Sequence, residues 1–153
     1  MSRVQLALRV ADLEGSIAFY SRLFGAGPAK RRPGYANFAI AEPPLKLVLL
    51  EGTAGEPTRM DHLGVEVATT DEVTAATTRL AAEGLPTATE GDTACCYAIQ
   101  DKVWVTGPGN EPWEVYVVKA DSDIMGDDTI PSPCCAPVTQ ADGTAQPAAA
   151  ACC

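Results

Sequence analysis

The chain has 153 residues, 46% hydrophobic and 20% charged, with a formal net charge of −9. That length supports one ordinary domain with its own packed core. No stretch approaches the ~18 apolar residues of a membrane-spanning helix. The opening "MSRVQLALRVADLEG" lacks the apolar run of a signal peptide, so a cytoplasmic protein is expected. The acidic balance argues against nucleic-acid phosphates and anionic membrane surfaces as partners.

Arg3 to Val10 alternates apolar and polar residues and predicts a strand. Asp12 is placed to cap a helix over Leu13 to Phe24, with Ile17, Phe19, Tyr20, Leu23 and Phe24 as its apolar face, and Gly25 and Gly27 end it. Three short strands follow, near Ala29–Arg32, Tyr35–Ile40 and Leu45–Glu51, separated by Pro33, Gly34, Pro43 and Pro44. The order then restarts. His62–Val67 predicts a strand, Thr70–Glu83 a helix closed by Gly84, and further strands lie near Thr87–Thr89, Lys102–Thr106 and Trp113–Val118.

This is an internal repeat. A shift of 57 residues lays Gln5 on His62, Leu6 on Leu63, Val10 on Val67 and Gly27 on Gly84. A shift of 68 lays Leu45–Leu50 on Trp113–Val118, and so Lys46 on Glu114. The expected fold class is α+β: two paired βαβββ modules, about residues 1–54 and 58–121, forming an eight-stranded curved sheet around a central cavity. From about Ala120 the chain is rich in Asp, Pro, Ala, Gly and Thr. Too few large apolar residues remain there to offset the entropy of ordering, so residues 122–153 are expected to form a flexible tail.

Glu114 lies between Trp113 and Val115 in an apolar strand, where a buried carboxylate needs a partner or a metal. Gln5, between Val4 and Leu6, is similar but cheaper to bury, and His62 is the only histidine. Taken alone, His62 reads more readily as a strand histidine bonded to a backbone carbonyl than as a ligand. The six cysteines form three adjacent pairs, Cys95–Cys96, Cys134–Cys135 and Cys152–Cys153. Neighbouring Cα atoms sit ~3.8 Å apart, whereas unstrained disulfides prefer roughly 4.4–6.8 Å. Adjacent thiols therefore suit a shared third atom better than a mutual bond. In a cytoplasmic protein they point to a metal or metalloid. For the last two pairs, chance placement in an alanine-rich tail is an equal reading. Adjacent residues of a regular strand face opposite ways. Cys95 and Cys96 can share one atom only in a loop or irregular segment, which Gly91-Asp92-Thr93 permits.

Duplicated βαβββ modules with polar residues at equivalent strand positions resemble the vicinal oxygen chelate superfamily. There, side chains from the first and last strands of each module bind a divalent metal. Those positions here carry Gln5, Lys46, His62 and Glu114. More narrowly, "MSRVQLALRVADLEGSIAFYSRLFGAGPAKRRPGYANFAIAEPPLKLVLLE", "DHLGVEV", "CCYAIQDKVWVTGPG" and "WEVY" resemble the family of organoarsenical C–As lyases and cadmium-induced proteins, over about residues 1–121. The resemblance implies an Fe(II)-dependent dioxygenase, with dioxygen as co-substrate, that cleaves the carbon–arsenic bond of trivalent organoarsenicals and releases arsenite. It implies metal ligands at Gln5, His62 and Glu114 and a substrate-binding thiol pair at Cys95 and Cys96; Lys46 would have to lose its proton to ligate and is read as a non-ligand. One imidazole, one carboxylate and one amide oxygen make a variant of the facial triad, with the amide replacing the usual second histidine. Two thiolates can hold a monoalkyl or monoaryl arsenic(III) by its two exchangeable positions. The implied partners are a small-molecule organoarsenical and, at most, a second copy of the chain in a homodimer. The competing reading is a cadmium- or arsenite-binding resistance protein without turnover.

Overall fold

The computed structural model describes residues 2–126. The elements run β1 (Arg3–Val10), α1 (Leu13–Phe24), β2 (Lys30–Arg32), β3 (Tyr35–Ile40), β4 (Leu45–Glu51), β5 (Arg59–Glu66), α2 (Thr70–Ala82), β6 (Thr87–Cys95), β7 (Ala98–Thr106) and β8 (Pro112–Asp121). Asp12 accepts a hydrogen bond from the Gly15 N–H at 2.8 Å and caps α1, and Gly25, left-handed at φ 67, ends it. A reciprocal capping box between Thr69 and Glu72 starts α2.

All eight strands join one sheet in the order β2-β3-β4-β1-β5-β8-β7-β6. The central strands β1 and β5 are antiparallel and join the two βαβββ halves, and each has a parallel partner, β4 and β8 respectively. One face of the sheet is covered by the helices. Ile17 of α1 packs on Val10, Phe38, Leu47 and Leu49, and Val73, Ala76 and Leu80 of α2 pack on Val103 and Val117. Because side chains alternate along a strand, the intervening residues face the other, concave side. These are Gln5 and Ala7 on β1, His62 and Gly64 on β5, Lys102 and Trp104 on β7, and Glu114 and Tyr116 on β8.

Three features depart from the sequence-based expectations. Gln5 pairs with Lys46 across β1–β4, but Glu114 pairs with Gly64 rather than with His62. The halves thus differ by two residues in parallel register, a step that keeps every side chain on its face. Next, β6 and β7 form one long hairpin rather than two short strands. The Gly91-Asp92 interruption is absorbed as a bulge between Glu90 and Thr93, where the Asp92 N–H donates to Asp101 Oδ1 at 2.8 Å and pairing resumes. Finally, Ser122–Gly126, expected to belong to the tail, lies along the hairpin tip: the Ser122 N–H donates to Tyr97 O at 3.0 Å and the Cys96 N–H to Met125 O at 2.5 Å. Cys134, Cys135, Cys152 and Cys153 lie outside the described residues.

Candidate functional site

Gln5, His62 and Glu114 meet on the concave face, each 2–4% exposed. Gln5 Nε2 lies 2.9 Å from His62 Nε2 and 2.7 Å from Glu114 Oε1, and His62 Nε2 lies 3.4 Å from Glu114 Oε1. Gly64 makes the convergence possible: a Cβ there would lie 3.1 Å from Glu114 Cγ and 3.2 Å from Gln5 Cβ. Asp61 Oδ1 sits 2.7 Å from His62 Nδ1, while Arg9 donates to the other Asp61 oxygen at 2.6 Å. A hydrogen on Nδ1 turned to that carboxylate leaves Nε2 facing Gln5 and Glu114. Lys102, 2% exposed, donates to Glu114 Oε2 at 2.8 Å. Lys46 stands apart from the cluster, bonded to Glu66 at 3.2 Å with its ammonium 4.9 Å from the centre of the Tyr116 ring.

Charge at the cluster is set by these contacts. Burial works against the Glu114 carboxylate, yet Lys102 and His62 hold its pKa down at about 2. Burial also opposes charge on His62, but the Asp61 and Glu114 carboxylates push the imidazole up to about 10. His62 Nε2 therefore carries its own hydrogen, directed at the Glu114 carboxylate. Lys102 stays protonated despite burial, because Glu114 faces it.

The donor set fits a divalent cation. Among the described residues no three His, Cys, Asp or Glu side chains converge, so a third donor beside His62 and Glu114 would come from the Gln5 amide. Its two ends are isosteric. Turned over, Oε1 would face His62 and Glu114, and Nε2 would donate to the Tyr116 hydroxyl, which is 2.9 Å from Glu66 Oε2 and can donate onward. An imidazole nitrogen, a carboxylate oxygen and an amide oxygen would then share one point. Their separations of 2.7–3.4 Å match the ~3 Å between neighbouring ligands about 2.1 Å from a metal.

Cys95 ends β6, and Cys96 and Tyr97, at φ 55 and 61, make a two-residue turn into Ala98. Both positive φ values are those of a type I′ hairpin, here without the usual glycine or asparagine. The turn, rather than an open loop, puts both thiols on one side: the sulfurs are 3.3 Å apart and unbonded. A hydrogen bond from Cys96 lowers the Cys95 thiol to about 7 against the effect of burial, with Lys102 assisting, while that bond and burial raise Cys96. Behind them Gln100, 3% exposed, donates Nε2 to Cys95 O at 3.1 Å, and its Oε1 is buried without a partner. Its carbonyl-facing Nε2 fixes this amide's orientation and leaves Oε1 as the unpartnered end.

Lys102, Asp61, Gln100 and Tyr116 were absent from the sequence-based candidates. A signal existed for two of them: Gln100 and Lys102 sit at period two in "AIQDKVWV", whose remaining residues apart from Asp101 are apolar. A cleft of about 610 Å³ beside the start of α1, lined by Asp12, Glu14, Arg31 and Arg32 among others, holds none of these groups.

Comparison with known proteins agrees with this architecture. The profile of the Glyoxalase/Bleomycin resistance protein/Dioxygenase superfamily matches residues 3–115. The chain is 69% identical over 139 residues, 90% of each chain, to a trivalent organoarsenical cleaving enzyme of Thermomonospora curvata. It is 65% identical over 128 residues, 82% of each chain, to the cadmium-induced protein CadI of Mycobacterium tuberculosis. Among solved structures, the Mn(II)-bound glyoxalase of Novosphingobium aromaticivorans superposes with TM-score 0.57 at 21% identity, over 85% of this chain and 44% of that one. An extradiol ring-cleaving dioxygenase from B. fuscum gives TM-score 0.57 at 20% identity, over 79% and 34%. Those two likenesses concern the fold. With two βαβββ halves closing one sheet over a shared polar cluster, and with that profile spanning both halves, the chain belongs to the Glyoxalase/Bleomycin resistance protein/Dioxygenase superfamily.

Proposed function

We propose that this protein is an Fe(II)-dependent dioxygenase that cleaves the carbon–arsenic bond of trivalent methyl- or arylarsenicals and releases arsenite. The observation that carries the reading is the unbonded thiol pair, 3.3 Å apart, on the same concave face as the Gln5–His62–Glu114 cluster. The 69% identity to an organoarsenical cleaving enzyme supports it.

Capture begins at Cys95, whose lowered pKa makes it the thiolate. It attacks arsenic in R–As(OH)₂ and displaces one hydroxyl, which leaves as water with a proton. Cys96 displaces the second hydroxyl, which departs as water with the Cys96 thiol proton. Arsenic stays trivalent, held by two As–S bonds, and the turn fixes where its organic group lies. Gln5, His62 and Glu114 would hold the iron, and iron when bound supplies the dioxygen chemistry that breaks the C–As bond. Asp61 orients His62, and Lys102 keeps Glu114 ionised. Tyr35 and Tyr97, with ring centres 5.5 Å apart, belong to the apolar cluster on which Cys96 packs.

A cytoplasmic location completes the reading, with a small-molecule substrate and neither nucleic acid nor membrane as partner. Among the described residues no helix is long and apolar enough to cross a membrane. The test is anaerobic Fe(II) loading, followed by arsenite release from methyl- and phenylarsenic(III) with and without oxygen. Release should require iron, oxygen and both thiols, and Cys95→Ser or Cys96→Ser should abolish it while leaving Fe(II) binding intact. The 65% identity to a cadmium-induced protein favours a second reading, stoichiometric binding of cadmium or arsenite. Retention of arsenic without oxygen consumption would establish that reading instead.

A further inference from the structure

The Tyr116 hydroxyl lies between two oxygens that, as they stand, only accept. On one side it meets Gln5 Oε1, and on the other Glu66 Oε2 at 2.9 Å. A phenol carries one hydrogen and can donate to only one of them. Tyr116 is fully buried, and strand register fixes its place: on β8 it follows Glu114 by two residues and pairs with Glu66 of β5. Gly64 leaves room for the ring, since a Cβ there would lie 3.2 Å from Tyr116 Cε1. Glu66 does not depend on the phenol. Arg3 donates to its Oε1 at 2.9 Å, and the Lys46 ammonium lies 3.2 Å from its Oε2.

This surplus of acceptors matches the two ends of the Gln5 amide. In the orientation seen, the Glu114 carboxylate, which only accepts, faces Gln5 Nε2 at 2.7 Å. Gln5 Oε1 then takes the Tyr116 hydrogen, while Arg3 and Lys46 hold Glu66. A divalent cation at the cluster makes the opposite demand, because it takes the amide oxygen and not the NH₂ group. Nε2 then needs an acceptor on the far side. The phenol oxygen is that acceptor, and its own hydrogen can turn to Glu66 Oε2. The exchange turns one amide and one hydroxyl and moves no proton to or from solvent.

We infer that Tyr116 is a positioning residue of the metal site that acts through Gln5: its hydroxyl accepts from the reversed amide, donates to Glu66, and so holds the Gln5 oxygen toward the cation. This rests on the proposed metal ligands. Without the hydroxyl, the reversed Nε2 would be buried and unpaired, which is the costly case.

The test is a double-mutant cycle read by anaerobic Fe(II) titration. Tyr116→Phe should weaken Fe(II) binding by up to about tenfold, the loss expected of Gln5→Ala itself. In the Gln5→Ala background the same substitution should change affinity by less than about twofold. Equal losses in both backgrounds, or no loss in either, overturn the role. Native protein that binds no Fe(II) overturns the metal ligands, and the role of Tyr116 falls with them. A second measurement decides the matter even where Tyr116→Phe fails to fold. It uses Cys95→Ser/Cys96→Ser protein, whose thiols cannot compete, with Zn(II) as a diamagnetic probe. The Gln5 side-chain amide resonance is identified by its loss in Gln5→Ala. Its hydrogens should show nuclear Overhauser contacts to the His62 ring before Zn(II) is added and to the Tyr116 ring afterwards. Contacts that stay with His62 in the loaded protein overturn the reversal.

Discussion

The two halves share an order of elements but divide the labour. The first half buries an aromatic and aliphatic core, with Phe38, Leu47 and Leu49 under α1, and its β2–β3 hairpin has strands of three and six residues. It brings Gln5 to the cluster, while Lys46 is neutralised by Glu66. The second half has a core of smaller side chains under α2 and a β6–β7 hairpin of nine residues per strand. It supplies His62, Lys102, Glu114 and both thiols. In this duplicated scaffold one half holds the larger apolar cluster, while the other carries most of the buried charges.

The comparison is broken most forcefully at Glu114. Glu114→Ala removes the one anionic donor and strands Lys102 in the interior, where losing one partner of a buried pair costs about 3–5 kcal/mol. Anaerobic calorimetric titration should show no Fe(II) binding, together with a large fall in Tm. Retained iron affinity would move the metal site elsewhere. One step out, Asp61→Asn should weaken Fe(II) binding by about 10–100-fold, because the support that turns His62 Nε2 inward is lost. The same titrations carry a pH signature. His62 without metal is held up at about 10, so Fe(II) must displace a hydrogen from Nε2. Binding should release about one proton and weaken as pH falls below that value. An affinity flat from pH 6 to 9 (about the usable range for Fe(II)) would contradict this.

The first half should be more forgiving. Gln5→Ala is expected to weaken Fe(II) about tenfold, near 1.4 kcal/mol, since water can replace a neutral amide. Lys102 acts on both the thiols and the Gln5–His62–Glu114 cluster, and in metal-loaded protein Lys102→Met should shift Cys95 alkylation upward from its midpoint near 7. An unmoved midpoint would assign the lowered pKa to the Cys96 hydrogen bond alone. The smallest effect belongs to Lys46→Ala, whose Fe(II) affinity should stay within about twofold. Loss of iron there comparable to that in Glu114→Ala would mean that the halves contribute symmetrically.

Local chemistry made much of this legible. The alternation of Arg3–Val10, the Asp12 cap and the Gly25 stop define β1 and α1 without any long-range contact. The restart at His62 announces the second half, and its shift places a histidine and a carboxylate where the first half has Gln5 and Lys46. Contacts distant in sequence decided the rest. Gly91-Asp92 looks like a strand end until Asp101, nine residues away across the hairpin, accepts the Asp92 N–H. Cys96-Tyr97 carries no turn residue, and its left-handed backbone is held where Tyr97 packs at a tilt against Tyr35 and the Ser122–Gly126 segment bonds to it. Lys102 reads as a surface lysine until β8 places Glu114 opposite its ammonium. Periodicity and caps are properties of neighbours along the chain. The partner of a buried charge, and the face on which two adjacent thiols meet, are set only when strands sixty or a hundred residues apart lie side by side.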